Sequence, residues 1–115
     1  MARTIYHMCR RDEWQAAQAK GLYGGSSQDA ADGFIHFSTS AQVVAAAARH
    51  RAGQAGLVLL AVDAERVGAA LRWEAAQSGQ LFPHLYGALP LDAVLRVDEL
   101  PLDAAGAHCF PRLED

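Results

Sequence analysis

Hydrophobic and polar positions fall along the chain in short runs of two periods. Residues 3–8 (RTIYHM) are β-branched and aromatic, hold no breaker, and predict an opening strand. Asp12 is placed to cap a helix, with Gln15 at capping-box spacing, Trp14 and Ala17 on one face and Gly21 as the stop. Residues 22–33 (LYGGSSQDAADG) are rich in Gly, Ser and Asp and read as a mobile loop, with 24–27 able to close over a site. Residues 34–37 (FIHF) predict a short strand. A second helix starts over residues 39–42, again at capping-box spacing, and runs through the alanines to Arg51, with Gly53 and Gly56 closing it.

Residues 57–63 (LVLLAVD) are the most apolar run, as expected of a central strand buried on both faces. A turn or short helix follows from Asp63. Residues 71–74 (LRWE), 82–89 (FPHLYGAL) and 94–100 (VLRVDEL) predict further strands, and the tail from Pro101 reads as irregular. Two main helices come early and about six short strands continue to the end. That order argues for an α+β domain with small mixed or antiparallel sheets rather than a regular βαβ sheet.

At 115 residues the whole chain, 1–115, fits one domain. Hydrophobic residues make 51% and charged residues 20%, which places it with folded globules rather than disordered chains. The net charge of −3 and the scatter of the ten Lys and Arg residues argue against a nucleic-acid-binding face. Cys9 and Cys109 make no metal or redox spacing and read as two isolated, mostly buried thiols. With no basic-then-apolar leader and no membrane-length apolar run, the expected location is the cytoplasm, with no membrane partner.

Chemistry enters through the placement of titratable groups in strands. Period-two alternation puts His7 on a face with Ile5, His36 with Phe34 and Ser38, Glu74 with Arg72, and His84 with Tyr86. An unpartnered imidazole inside a core strand costs about 1–3 kcal/mol, so each buried histidine requires a partner or a task. For each taken alone a structural role suffices. Together three histidines, a carboxylate and a tyrosine supply an acid, a base and a stacking surface. The ligand would be a small molecule or nucleotide. His7, His36, His84 and Glu74 also have the chemistry of a zinc site, but their dispersal lacks the short spacings of metal motifs, and no metal is expected. Phosphate-binding glycine motifs, GxSxG and HExxH are absent.

The collinear set IYHM, W14-xx-A17, G21-x-Y23, DGFIHFST, LVLLAVD, LRWE and FPHLYG resembles the small bacterial domain-of-unknown-function 952 family over residues 4 to 100. Through that family the chain resembles, distantly, the ADP-ribosyltransferase fold, whose enzymes grip NAD between two small sheets. The resemblance implies NAD as cofactor. It matches His7 to a first-strand position that holds the nicotinamide ribose, and His36 or Ser38 to a central-strand position beside the ring. Glu74, His84 and Tyr86 compete for a late-strand position that orients the nucleophile or stabilises an oxocarbenium-like transition state. Without a carboxylate there, the likeness is to the RNA 2′-phosphotransferase branch of the fold. The other reading of the same pocket is a non-catalytic ligand-binding or regulatory module, since fold does not imply function.

Overall fold

In the computed structural model, which describes residues 3–115, strand β1 (Thr4–Arg10) passes directly into helix α1 (Arg11–Lys20), ahead of a two-residue strand β2 (Leu22–Tyr23). Helix α2 (Ser27–Asp32), strand β3 (Ile35–His36) and helix α3 (Val43–His50) lead to β4 (Leu57–Asp63) and a short helix α4 (Ala64–Val67). Strands β5 (Leu71–Ala75), β6 (Leu81–Leu85), β7 (Leu89–Pro90) and β8 (Val94–Leu100) follow. The strands form three sheets ordered β1-β4-β8, β2-β7 and β3-β6-β5, all antiparallel. The protein is therefore α+β, with more strands than the sequence pattern predicts. The 82–89 run is split into β6 and β7, and β2 lies inside the expected loop.

β4 occupies the centre of the main sheet and is buried along Leu57–Val62. Alternation sends its side chains to two cores. Val58, Leu60 and Val62 join Ile5 and Cys9 beneath Trp14 and Ala17 of α1, while Leu57, Leu59 and Ala61 join Tyr6 and Val43 of α3. Fully burying each such Leu or Val contributes about 1.5–3 kcal/mol. The tail, irregular as its pattern suggests, lays Phe110 and Leu113 on the second core, and the Tyr6 hydroxyl donates to the Glu114 carbonyl and accepts from its N–H.

Three local expectations are corrected. Asp12 does not cap α1: β1 keeps pairing through Arg10, opposite Leu57, so Arg10 becomes the cap position and its N–H donates to Glu13. Asp12 and Glu13 instead lie in the first turn, favourable to the helix dipole. The segment 22–33 is not a loop. Ser26 caps α2 in a reciprocal box with Asp29, and Gly33, at φ +82°, ends it. Glu13 also accepts from the Ser27 N–H, tying α2 to α1. Cys9 is buried as expected, but Cys109 is exposed, and both are free thiols.

Gly25 makes the entry to α2 possible. Its φ is +103°, and an added Cβ would stand 3.1 Å from Asp29 Cβ and 3.2 Å from Ile35 Cγ1. Gly25→Ala should cost about 2–3 kcal/mol, combining left-handed strain with crowding. Urea unfolding checks this; a loss under about 0.5 kcal/mol would show that the entry rearranges freely.

Candidate functional site

The first strand fixes one histidine completely. His7 points into the core beside Leu60, its Cα partner on β4, and is 3% exposed. Its Nδ1 lies 2.5 Å from the His36 carbonyl and its Nε2 2.6 Å from the Tyr23 hydroxyl. A carbonyl can only accept, so Nδ1 carries the proton and Nε2 accepts from Tyr23. Burial pulls the His7 pKa below its ordinary value, against the raising influence of Asp29. Burial pushes the Cys9 thiol up to about 11, which makes it inert at neutral pH.

α2 supplies the groups that hold the second histidine. Asp29, 3% exposed, accepts at Oδ2 from the Ser26 N–H and hydroxyl, at 2.7 and 2.9 Å. At Oδ1 it accepts from the His36 N–H and Nδ1, at 3.0 and 2.6 Å. Burial opposes ionisation of Asp29, but the His36 bond, His7 and the Ser26 and His36 amides outweigh it and hold the carboxyl at about 2. The Asp29 bond reciprocally raises the His36 pKa, with help from Asp32, whose Oδ2 lies 3.0 Å from His36 Nε2. His36 is thus an imidazolium held between two carboxylates.

The third histidine is held by β5. His84 stands opposite His36 across the β3–β6 pair and opposite Arg72 across β5–β6, so one sheet face carries all three. The His36 and His84 rings meet edge to face at 5.5 Å. His84 Nδ1 donates to Glu74 Oε1 at 2.9 Å, and the Tyr86 hydroxyl donates to the same oxygen at 2.6 Å. Those bonds, Tyr86 first, lower the Glu74 pKa. Glu74 thereby fixes the His84 tautomer and leaves Nε2, which has no partner among the described residues, as the acceptor of the neutral ring. Phe34 stacks on His84 at 4.1 Å and lies 5.2 Å from the Tyr86 ring.

The three imidazoles converge on a cavity of about 500 Å³ between the main sheet and the β3-β6-β5 sheet. The two sheets are joined by the bridge between Tyr6 and Ser38 and by the bond from His7 Nδ1 to the His36 carbonyl. His7, His36 and His84 line it together with Arg49, His50 and Arg51 from the end of α3. Arg51 is buried and donates to the Met8 carbonyl and Gln54, whereas Arg49 is exposed and has no partner among the described residues. Ser38 lines the cavity; Glu74 and Tyr86 do not, and lie behind His84. Among the described residues no group of three or more His, Cys, Asp or Glu is arranged to hold a metal ion. No helix is long and apolar enough to cross a membrane.

Of the residues singled out from sequence, the fold gathers His7, His36, Ser38 and His84 into one cavity. Glu74 and Tyr86 act on it through His84. Sequence reasoning missed Tyr23, Asp29 and Asp32, although Ser26 and Asp29 stand at capping-box spacing and Gly33 follows as a stop.

The family described as protein of unknown function (DUF952) matches residues 8–97. The crystal structure of protein CC0527 from Caulobacter crescentus is 49% identical, with a TM-score of 0.88 over 92% of this chain and 93% of that chain. The solution NMR structure of the same protein is 50% identical, with a TM-score of 0.80 over 90% of each chain. No curated protein matches the chain.

Proposed function

The chain belongs to the DUF952 family, and we propose that its cavity binds a small nucleotide-class ligand, with NAD the leading candidate and His84 the base that activates an acceptor. What carries this reading is the convergence of histidines from three strands on one cavity of ligand size, where His84 Nε2 is the one ring nitrogen of those three without a partner among the described residues. The choice of NAD comes from the distant resemblance to the ADP-ribosyltransferase fold. In such a transfer the bond from ribose C1′ to nicotinamide breaks and nicotinamide leaves with the electron pair. An acceptor oxygen bonds to C1′, and His84 Nε2 takes the acceptor's proton.

For the late-strand position the reading takes His84, supported by its place on the cavity lining, from which Glu74 and Tyr86 are absent. His7, with both nitrogens engaged, is a positioning residue rather than a ribose ligand. Ser38, whose hydroxyl has no partner among the described residues, takes the ribose-contacting role in its place.

Thermal unfolding with millimolar NAD, ADP-ribose or nicotinamide tests the reading in wild type and His84→Ala. At 100 times Kd a ligand adds about 2.7 kcal/mol, roughly a 10 °C rise for a domain of this size. The rise should persist with NAD in His84→Ala, since the base serves the acceptor. No rise with any of the three removes the nucleotide reading. The engagement of His36 by carboxylates on both nitrogens favours a second reading, binding without turnover. It predicts the same rise, with NAD recovered intact by mass spectrometry.

A further inference from the structure

One ion pair at the cavity wall is not needed to hold the fold. His36 is fixed in place through Nδ1 and its backbone N–H by the buried Asp29. Asp32, at the last position of α2, adds only a contact of 3.0 Å to Nε2, and its side chain is 55% exposed. Its carboxylate makes no other bond among the described residues. It occupies the outward N–H of an imidazolium on the wall of a ligand-sized cavity, where an anionic oxygen of a ligand would satisfy the same donor.

The charges facing His36 can be placed element by element. α2 contributes Asp29 and Asp32; β6 contributes His84, beyond which β5 places Arg72 and Glu74 on the same sheet face. From β1 comes His7, whose hydrogen bonds suit the neutral ring. From the end of α3 come Arg49 and His50, exposed and without partners among the described residues, and Arg51, already committed to Met8 and Gln54. Two cations, His36 and Arg49, therefore have capacity for an incoming anion, and one exposed carboxylate competes with it.

We propose that His36 Nε2–H and Arg49 form a seat for a phosphate-type oxyanion, which Asp32 fills in the free protein and vacates on binding. The proposal rests on the reading of the cavity as a ligand site and says which part of a nucleotide the seat takes: phosphate or pyrophosphate rather than a ring. The exchange asks only for rotation of one exposed side chain. Binding should weaken as pH rises through the His36 titration, because neutral His36 keeps its proton on Nδ1, facing Asp29, and presents a lone pair to the anion.

The test is an NMR titration with inorganic phosphate at pH 6, read at the His36 imidazole nitrogens. It compares wild type, Asp32→Asn, Arg49→Ala and a distant charge control, Asp92→Asn, with amide dispersion confirming each fold. Asp32→Asn should bind phosphate roughly three- to tenfold more tightly, and Arg49→Ala at least about threefold more weakly, while Asp92→Asn is unchanged. ADP-ribose should move the same Nε2 resonance and nicotinamide should not. Equal affinities in Asp32→Asn and Asp92→Asn, or a silent His36 Nε2, overturn the seat. If NAD still raises the melting temperature in that case, the cavity reading stands without it. If neither phosphate nor any nucleotide binds, both fall.

Discussion

Replacing Asp29 with alanine should cost the fold about 3–5 kcal/mol, because it leaves several donors without their acceptor at about 1–3 kcal/mol for each buried one. Asp29 accepts four hydrogen bonds, from the Ser26 N–H and hydroxyl and from the His36 N–H and Nδ1. Alanine would strand all four donors in a site where Ser26 is 3% exposed, and would undo the reciprocal cap of α2. Against a total stability of about 5–15 kcal/mol, that threatens folding at 37 °C. Asp32→Asn is the matched comparison, because Asp32 faces the same imidazole from an exposed position and should cost no more than about 1 kcal/mol. Urea unfolding of both variants decides the matter. A loss below about 1 kcal/mol for Asp29→Ala would mean that the carboxylate is not what holds His36 and α2 together.

The same clamp gives stability a pH profile with a defined sign. Asp29 is held at about 2 against an ordinary 3.8, so its contribution is present above 3.8 and is lost as pH falls toward 2. His36 is raised above 6.5, so its contribution is present below 6.5 and is lost as pH rises through the raised value. His7 acts the other way. Its folded pKa lies below 6.5, so the unfolded chain takes up a proton that the folded ring refuses, and stability falls as pH drops below 6.5. Removing Asp29 should therefore flatten the alkaline decline and, because Asp29 is what raises the His7 pKa against burial, deepen the loss of stability below 6.5.

The face assignments were legible because strand periodicity is strict. Alternation alone put His7 on the Ile5 side and His36 with Phe34, and those sides are the ones observed. β4 was legible because a six-residue apolar run, residues 57–62, has few places to go but the middle of a sheet. Partnerships were not legible, since they depend on tertiary register. That His84 meets His36 follows from the pairing of β3 with β6, and that Glu74 supports rather than lines the cavity follows from which strand neighbours which. The segment 22–33 misled for a specific reason. Its Gly, Ser and Asp residues have loop composition, yet they serve as the positive-φ turn, the cap and the buried anion of a one-and-a-half-turn helix. Composition averages over positions; capping depends on single ones.

His7→Ala should be as damaging as Asp29→Ala, at about 3–5 kcal/mol, because it adds a buried cavity to the loss of two hydrogen bonds. The resemblance to NAD-binding enzymes implies a first-strand histidine that serves a ligand and is dispensable to the fold. Here the ring is instead a strut between two elements. Nδ1–H is the partner of the His36 carbonyl, and Nε2 receives the Tyr23 proton. Its removal strands a carbonyl on β3 and a hydroxyl on β2, and takes packing from Phe37, 5.4 Å from the ring. Two further variants separate these losses. Tyr23→Phe removes only the bond to Nε2 and should cost about 1–2 kcal/mol. His7→Asn can place an amide N–H near the Nδ1 position and should recover part of the deficit if the His36 carbonyl is what the ring serves. Urea unfolding of the three variants gives the comparison. A His7→Ala protein within about 1 kcal/mol of wild type would show that the ring is not a strut, and would return His7 to the role of a group available to a ligand.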